Sequence, residues 1–214
     1  MMFLTFAALW LQSDWVPLKT GGEVFLPRDG FAVEIGVPAI DRLEWSGKTK
    51  NNHPEGKGTL KGFSGKKEVL RYKGIMKDGA FQDTHAKLSY TGEALKLRYD
   101  GPFEHGFRSG EGLMEWAPIG EPFRPETSIS YQGGWQKGTF EGFGTFNRIT
   151  EKYVGSFVQG RFHGEGTMYK PKPRAQTGSA TGGAGFNPFD EKLEYEVFQT
   201  GIWENGHYKG PVEQ

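Results

Sequence analysis

One spacing recurs along the chain and limits what it can fold into. In "YQGGWQKGTFEGFG", aromatics stand at positions 0 and 4 (Tyr131, Trp135) and glycines at 2, 7, 11 and 13 (Gly133, Gly138, Gly142, Gly144). Tyr153, Gly155, Phe157, Gly160, Gly164 and Gly166 repeat it in full, as do Tyr99, Gly101, Phe103, Gly106, Gly110 and Gly112. Tyr72, Gly74, Met76 and Gly79 match the first half, with Asp83 and His85 in place of the last two glycines. Trp45, Gly47, Gly56 and Gly58 match the ends of an earlier copy, with Thr49 and Asn52 between. A last copy keeps Gly201, Trp203, Gly206 and Gly210, with Gln199 and Val212 at its ends. A chain with such a period is built from like units that bury their apolar faces against one another.

The spacing says what one unit is. Tyr131, Gly133 and Trp135 are two apart and share one face of a strand. Gly138 falls where the chain must reverse, and glycine accepts the positive φ of a tight hairpin turn. Phe140, Gly142, Gly144 and Phe146 again alternate on one face. Each unit therefore reads as a β-hairpin with aromatics and glycines on its inner side. A glycine inside a strand marks close approach by another group; here each is read as room for a neighbouring repeat's ring. A lone hairpin is marginal in water, so the hairpins must stack.

The pattern "Y-x-G-x-W/F-x-x-G-x-x-x-G-x-G" resembles the MORN repeat (membrane occupation and recognition nexus), best in "YDGPFEHGFRSGEG", "YQGGWQKGTFEGFG" and "YVGSFVQGRFHGEG". The resemblance covers roughly residues 43–212. It implies an all-β fold: an elongated, twisted, single-layer antiparallel sheet of stacked hairpins behind an N-terminal capping segment. The chain divides into residues 1–42, an apolar segment and β cap, and 43–214, an array with copies starting near 45, 72, 99, 131, 153 and 199. A flexible insertion is expected near 170–192, and its "FNPF" (Phe186–Phe189) is a candidate docking motif. The proline-rich "APIGEPFRPETSIS" before Tyr131 is unsuited to a central strand. "EVFLPRDGFAVEIGVP" has β-rich composition and a turn signal at Asp29–Gly30, and is expected to be a hairpin that caps the array. "GHYKGPVEQ", with Pro211, is placed to blunt the far edge.

"MMFLTFAALWLQSDW" is apolar to Leu11 and too short to span a bilayer as a helix, which takes about 20 residues. It lacks the basic start of a secretory signal and the arginines of a mitochondrial presequence. A packed strand or short helix is the plain reading, and an exported or membrane-facing segment the alternative.

Composition excludes several chemistries. There are no cysteines, so disulfides, thiol catalysis and cysteine-ligated zinc are out. Lys plus Arg equals Asp plus Glu at 26 each, which gives no net field for nucleic acid. "GSATGGAG" is followed by no Gly-Lys-Ser/Thr, so it is no P-loop, and there is no G-x-S-x-G elbow. His53, His85, His105, His163 and His207 fall at different template positions, mostly near turns, without ligand spacing. Glu111, Glu141 and Glu165 fall on the outer face as solvated charges. No catalytic residue, metal site or cofactor is assigned.

The aromatic row remains. Tyr72, Tyr99, Phe103, Tyr131, Trp135, Tyr153, Phe157 and Trp203 share one face, with Phe81, Phe140, Phe162 and Tyr208 at position 9. They read as inter-repeat core, or as a partner-binding groove in which some ring edges stay open; the resemblance implies such a groove. The expected function is a non-enzymatic scaffold that holds protein partners in a cytoskeletal, ciliary or membrane-associated assembly. Alternatives are a membrane or phospholipid adaptor and a regulatory subunit for an enzyme on another chain. Against the adaptor stands the lack of a dense basic patch beyond "KPKPR". The expected location is the cytoplasm, in association with cytoskeleton or complex.

Overall fold

The computed structural model describes residues 14–27, 30–124, 127–172 and 194–212. Residues 1–13 and the "FNPF" motif lie outside the described residues. The chain opens with a two-stranded hairpin, β1 (Asp14–Pro17) and β2 (Glu23–Leu26), and a single turn of helix, α1 (Gly30–Glu34). There follow β3 (Arg42–Trp45), β4 (Lys48–Lys50), β5 (His53–Ser64), β6 (Lys67–Lys77), β7 (Ala80–Phe81), β8 (Asp83–Thr91), β9 (Leu95–Glu104), β10 (Phe107–Arg108) and β11 (Gly110–Pro118). The ladder ends with β12 (Ile129–Gln136), β13 (Thr139–Arg148), β14 (Glu151–Val158), β15 (Arg161–Pro171), β16 (Tyr195–Glu204) and β17 (His207–Gly210). From β3 to β17 they form one open antiparallel sheet, each long strand paired with the next long one. The 119–128 and 173–193 connections leave this order intact, since β11 pairs β12 and β15 pairs β16.

The repeat is a repeat of geometry. Residues at positions 6 and 7 both take positive φ: Asp78–Gly79, His105–Gly106, Lys137–Gly138, Gln159–Gly160, Asn205–Gly206, and Asn51–Asn52 in the first copy. Positive φ at both central residues is the type I′ turn that suits the twist of the flanking strands. The position 7 amide also ties each hairpin to the one before. Gly79, Gly106, Gly138, Gly160 and Gly206 donate to the carbonyls of Pro54, Phe81, Arg108, Phe140 and Phe162, always the preceding copy's position 9.

Ring packing follows the same logic. The position 0 hydroxyls of Tyr72, Tyr99, Tyr131 and Tyr153 donate to the position 3 carbonyls of Ile75, Pro102, Gly134 and Ser156. Tyr72, Tyr131 and Tyr153 stack on their own position 9 rings, Phe81, Phe140 and Phe162, at 4.0, 3.7 and 3.9 Å. The position 4 ring of the next copy meets each tyrosine edge-on: Phe103 on Tyr72, Trp135 on Tyr99, Phe157 on Tyr131 and Trp203 on Tyr153. The rings thus run as an unbroken chain through the sheet's inner face.

Three expectations need correction. The socket glycines make room for their own repeat's tyrosine, not a neighbour's: a Cβ at Gly144 would lie 2.7 Å from the Tyr131 ring. In the copy at Tyr72 the socket belongs to Ala86, not His85, because β8 holds an extra residue where Asp83 bonds the amides of Ile75 and His85. The N-terminal cap is the β1–β2 hairpin rather than one turning at Asp29–Gly30. Asp29 is outside the described residues, and Gly30–Glu34 is helical. There Phe31 and Ile35, four residues apart, fall on one helical face. Gly36, at φ 66°, ends the turn, and the Val37 amide bonds back to the Ala32 carbonyl.

The cap meets the array at its start. Lys19 donates to the Leu43 carbonyl beside the first strand, Glu23 to Asn52, and Phe25 to Gly79. β2 therefore runs across the turn tips of the first hairpins. From there the chain crosses the inner face as α1.

Candidate functional site: an apolar cleft on the inner face

The inner face is covered along only part of its length. α1 sits over the copies at Tyr99 and Tyr131. Phe31 is buried, with its ring 5.5 Å from Trp116, 6.0 Å from Trp135 and 5.5 Å from Phe140, on which it stacks. The copy at Tyr99 departs from the template here: Arg108 takes position 9 and its guanidinium lies 5.4 Å from Phe31 and 5.3 Å from Tyr99.

Beyond α1 the face opens into a cleft of about 960 Å³. Phe140, Phe146, Phe157, Phe162, Met168 and Trp203 form its apolar floor. Phe31 and Ile35 of α1 line it as well, as do Trp116 and Ile129, Gly206 and His207. Arg148, Ile149, Glu151 and Arg161 stand on the rim, and the Arg148 guanidinium lies 3.4 Å from Glu151 and 5.2 Å from the Phe146 ring. Its Nε is buried with no hydrogen-bond partner among the described residues. Glu34 stands on the same rim. Partial burial raises its carboxyl above the ordinary value, and the Arg148 charge works against that rise.

The eight aromatics singled out from sequence are all buried, none above 5% exposure. Phe157 and Trp203 also line the cleft; Tyr72, Tyr99, Phe103, Tyr131, Trp135 and Tyr153 do not. The four tyrosines hold their protons tightly, because burial of the ring raises each hydroxyl above its ordinary value; Tyr153 is pushed up to about 12. Those rings are the wall behind the cleft, and the next row is its surface.

The family model of the MORN repeat matches residues 99–118, 131–147 and 153–172. The chain is a MORN repeat protein. No curated protein matches it. MORN repeats are modules that in general interact with proteins or membranes, and the repeat itself is not catalytic. Among the described residues no three His, Asp or Glu side chains gather as metal ligands, and no helix is long and apolar enough to cross a membrane.

Two cleft features of this MORN array lie outside the six-position template, although Phe146 itself is expected on the inner face. Phe146 and Met168 occupy position 15, opposite the tyrosines Tyr131 and Tyr153. Leu60 and Met114 occupy it in earlier copies, so a template two residues longer would have found the row. α1 carried a weaker signal, the Phe31–Ile35 spacing, in a run too short for periodicity to decide.

Proposed function

We propose that this MORN array is a non-enzymatic scaffold that holds an apolar segment of a partner protein in the cleft. The observation that carries this reading is the cleft itself. It is a floor of aromatic side chains left open where α1 ends, on a face that α1 already uses as a docking surface. Aromatic-rich pockets ringed by polar groups are where protein interfaces concentrate their binding energy. A photo-reactive side chain tests it when placed at Ile149 on the rim, with Phe143 on the opposite face as control. The expected result is one partner cross-linked from Ile149, at a defined segment, and lost in a Phe162→Ala variant. Equal capture from Phe143 would sink the reading.

A second reading, an adaptor for anionic membranes, gains one observation. Between residues 42 and 100 basic side chains outnumber acidic ones nearly two to one. Lys57, Lys73 and Lys77 stand exposed on the outer face of β5 and β6. The basic patch that the sequence lacked as a run is assembled across strands. Co-sedimentation with vesicles containing phosphatidylserine tests it; binding lost on triple Lys→Glu substitution at those positions would favour it.

A further inference from the structure

The seat that Phe31 occupies recurs, one repeat along, without an occupant among the described residues. Phe31 rests on Trp116, Trp135 and Phe140, which are position 17 of one copy and positions 4 and 9 of the next. One repeat further, the same positions are Arg148, Phe157 and Phe162, and all three line the cleft. Arg108, the position 9 side chain at the near edge of the first seat, is matched by Phe140 at the near edge of the second. Repetition of the backbone thus copies the socket with its side chains changed: a guanidinium replaces the Trp116 indole, Phe157 replaces Trp135, and Phe140 replaces Arg108.

From this repetition we propose that the second seat takes a short helix from a partner protein. It presents an aromatic or large aliphatic side chain to Phe157 and Phe162, and a carboxylate about one turn away to Arg148. The proposal rests on the cleft being an interaction face and names what that face selects. α1 shows the pattern in cis, as Phe31, Glu34 and Ile35 at i, i+3 and i+4. Residues so spaced lie on one side of a helix. Arg148 supplies the selectivity. Glu151 lies 3.4 Å away and Glu34 shares its field from the same rim, yet its Nε has no hydrogen-bond partner among the described residues, so a carboxylate that reaches the guanidinium meets a donor those two leave unmet. A planar guanidinium binds a carboxylate through two parallel hydrogen bonds.

The probe is a labelled peptide with the chain's own sequence over 27–38, PRDGFAVEIGVP, added to the full-length protein and read by fluorescence anisotropy. Saturable binding of one peptide per chain is expected. Arg148→Glu should weaken it by about tenfold or more, in line with loss of one charge-assisted contact. A peptide carrying Glu34→Arg should bind Arg148→Glu better than it binds the wild type. Arg148 is one-third exposed, so an unchanged thermal midpoint certifies that the variant is folded. Equal affinity of wild type and Arg148→Glu, or no saturation at millimolar peptide, overturns the proposal. If the peptide fails while Ile149 still cross-links a partner segment, this inference falls and the scaffold reading stands. If both fail, the cleft is not a docking face.

Discussion

The two halves of the array solve the same packing problem differently. In the second half the copies at Tyr131 and Tyr153 are complete and the one at Gln199 lacks its two end residues, and rings seal one another: Tyr131 with Phe140, Trp135 and Phe157, then Tyr153 with Phe162 and Trp203. In the first half the copies at Trp45 and Tyr72 are worn, with Asn52 at a turn glycine and an extra residue in β8, and the copy at Tyr99, complete in the template, carries Arg108 at position 9. That half is sealed partly from outside, by the β1–β2 hairpin on the turn tips and by α1 on the inner face. The β1–β2 hairpin covers the first copies and α1 the junction of the copies at Tyr99 and Tyr131; beyond α1 the inner face carries the cleft. The sharpest contrast is at neighbouring seats, one filled by Phe31 and the next without an occupant among the described residues.

If rings carry the regular half, removing one should cost far more than removing the lid. Trp135 is buried, edge-on to Tyr99, Tyr131 and Phe140, and its indole N–H donates to the Gly112 carbonyl at 3.2 Å. Trp135→Ala should cost about 3–5 kcal/mol in urea unfolding. Phe31→Ala also empties a buried seat, but α1 can detach without breaking a ladder, so a loss of roughly 1–3 kcal/mol is expected. Hydrogen exchange should show opening confined to residues 30–37. Equal costs with global opening would mean that the lid belongs to the core, and the contrast between the halves would fail.

The tyrosines give a second test, by pH. Tyr72, Tyr99, Tyr131 and Tyr153 all have hydroxyls raised by burial, two from each half. A hydroxyl whose folded value is raised stabilises the fold fully below the unfolded value, near 10, and loses that contribution as pH climbs towards the folded value. Stability should therefore hold below about pH 10 and fall steadily above it. Ultraviolet titration of these four, isolated by Tyr→Phe substitution one at a time, should show them ionising together with unfolding. Ionisation of all four before any loss of strand circular dichroism would contradict the packing.

The fold was legible because its signal is redundant. Turns, sockets and rings each repeat, and the wrong detail in any copy is outvoted by the others. The whole strand order followed from Tyr131, Gly133, Trp135, Gly138, Gly142 and Gly144 and their counterparts. The candidate site was less legible, for two physical reasons. Large apolar side chains at regular spacing are the same signal whether they fill a core or floor a cleft, and only three-dimensional coverage separates Tyr131 from Phe146. The lid is a single helical turn that occurs once, so Phe31 and Ile35 had no second copy to reveal them. Arg108 and Arg148 were passed over for a related reason: a template built on aromatics and glycines does not look at the residues that break it.

The glycines give the smallest and most local test. By spacing Gly142 and Gly144 fall together on one inner face, yet they serve different ends. Gly144 is a socket, where a methyl would press on the Tyr131 ring and on the stack behind it. Gly142 has φ 74° and nothing within 4 Å of where a Cβ would stand, so its requirement is conformational. Gly144→Ala should cost about 1–3 kcal/mol through overpacking. Gly142→Ala should cost about 1–2 kcal/mol through the left-handed backbone alone. Truncating the ring that crowds the socket tells them apart. In a Tyr131→Phe background the hydroxyl is gone, so the cost of Gly144→Ala should shrink while that of Gly142→Ala stays fixed. A double-mutant cycle in urea measures the difference. Coupling at Gly142 as large as at Gly144 would mean that both glycines serve the ring, and that the positive φ at position 11 is incidental.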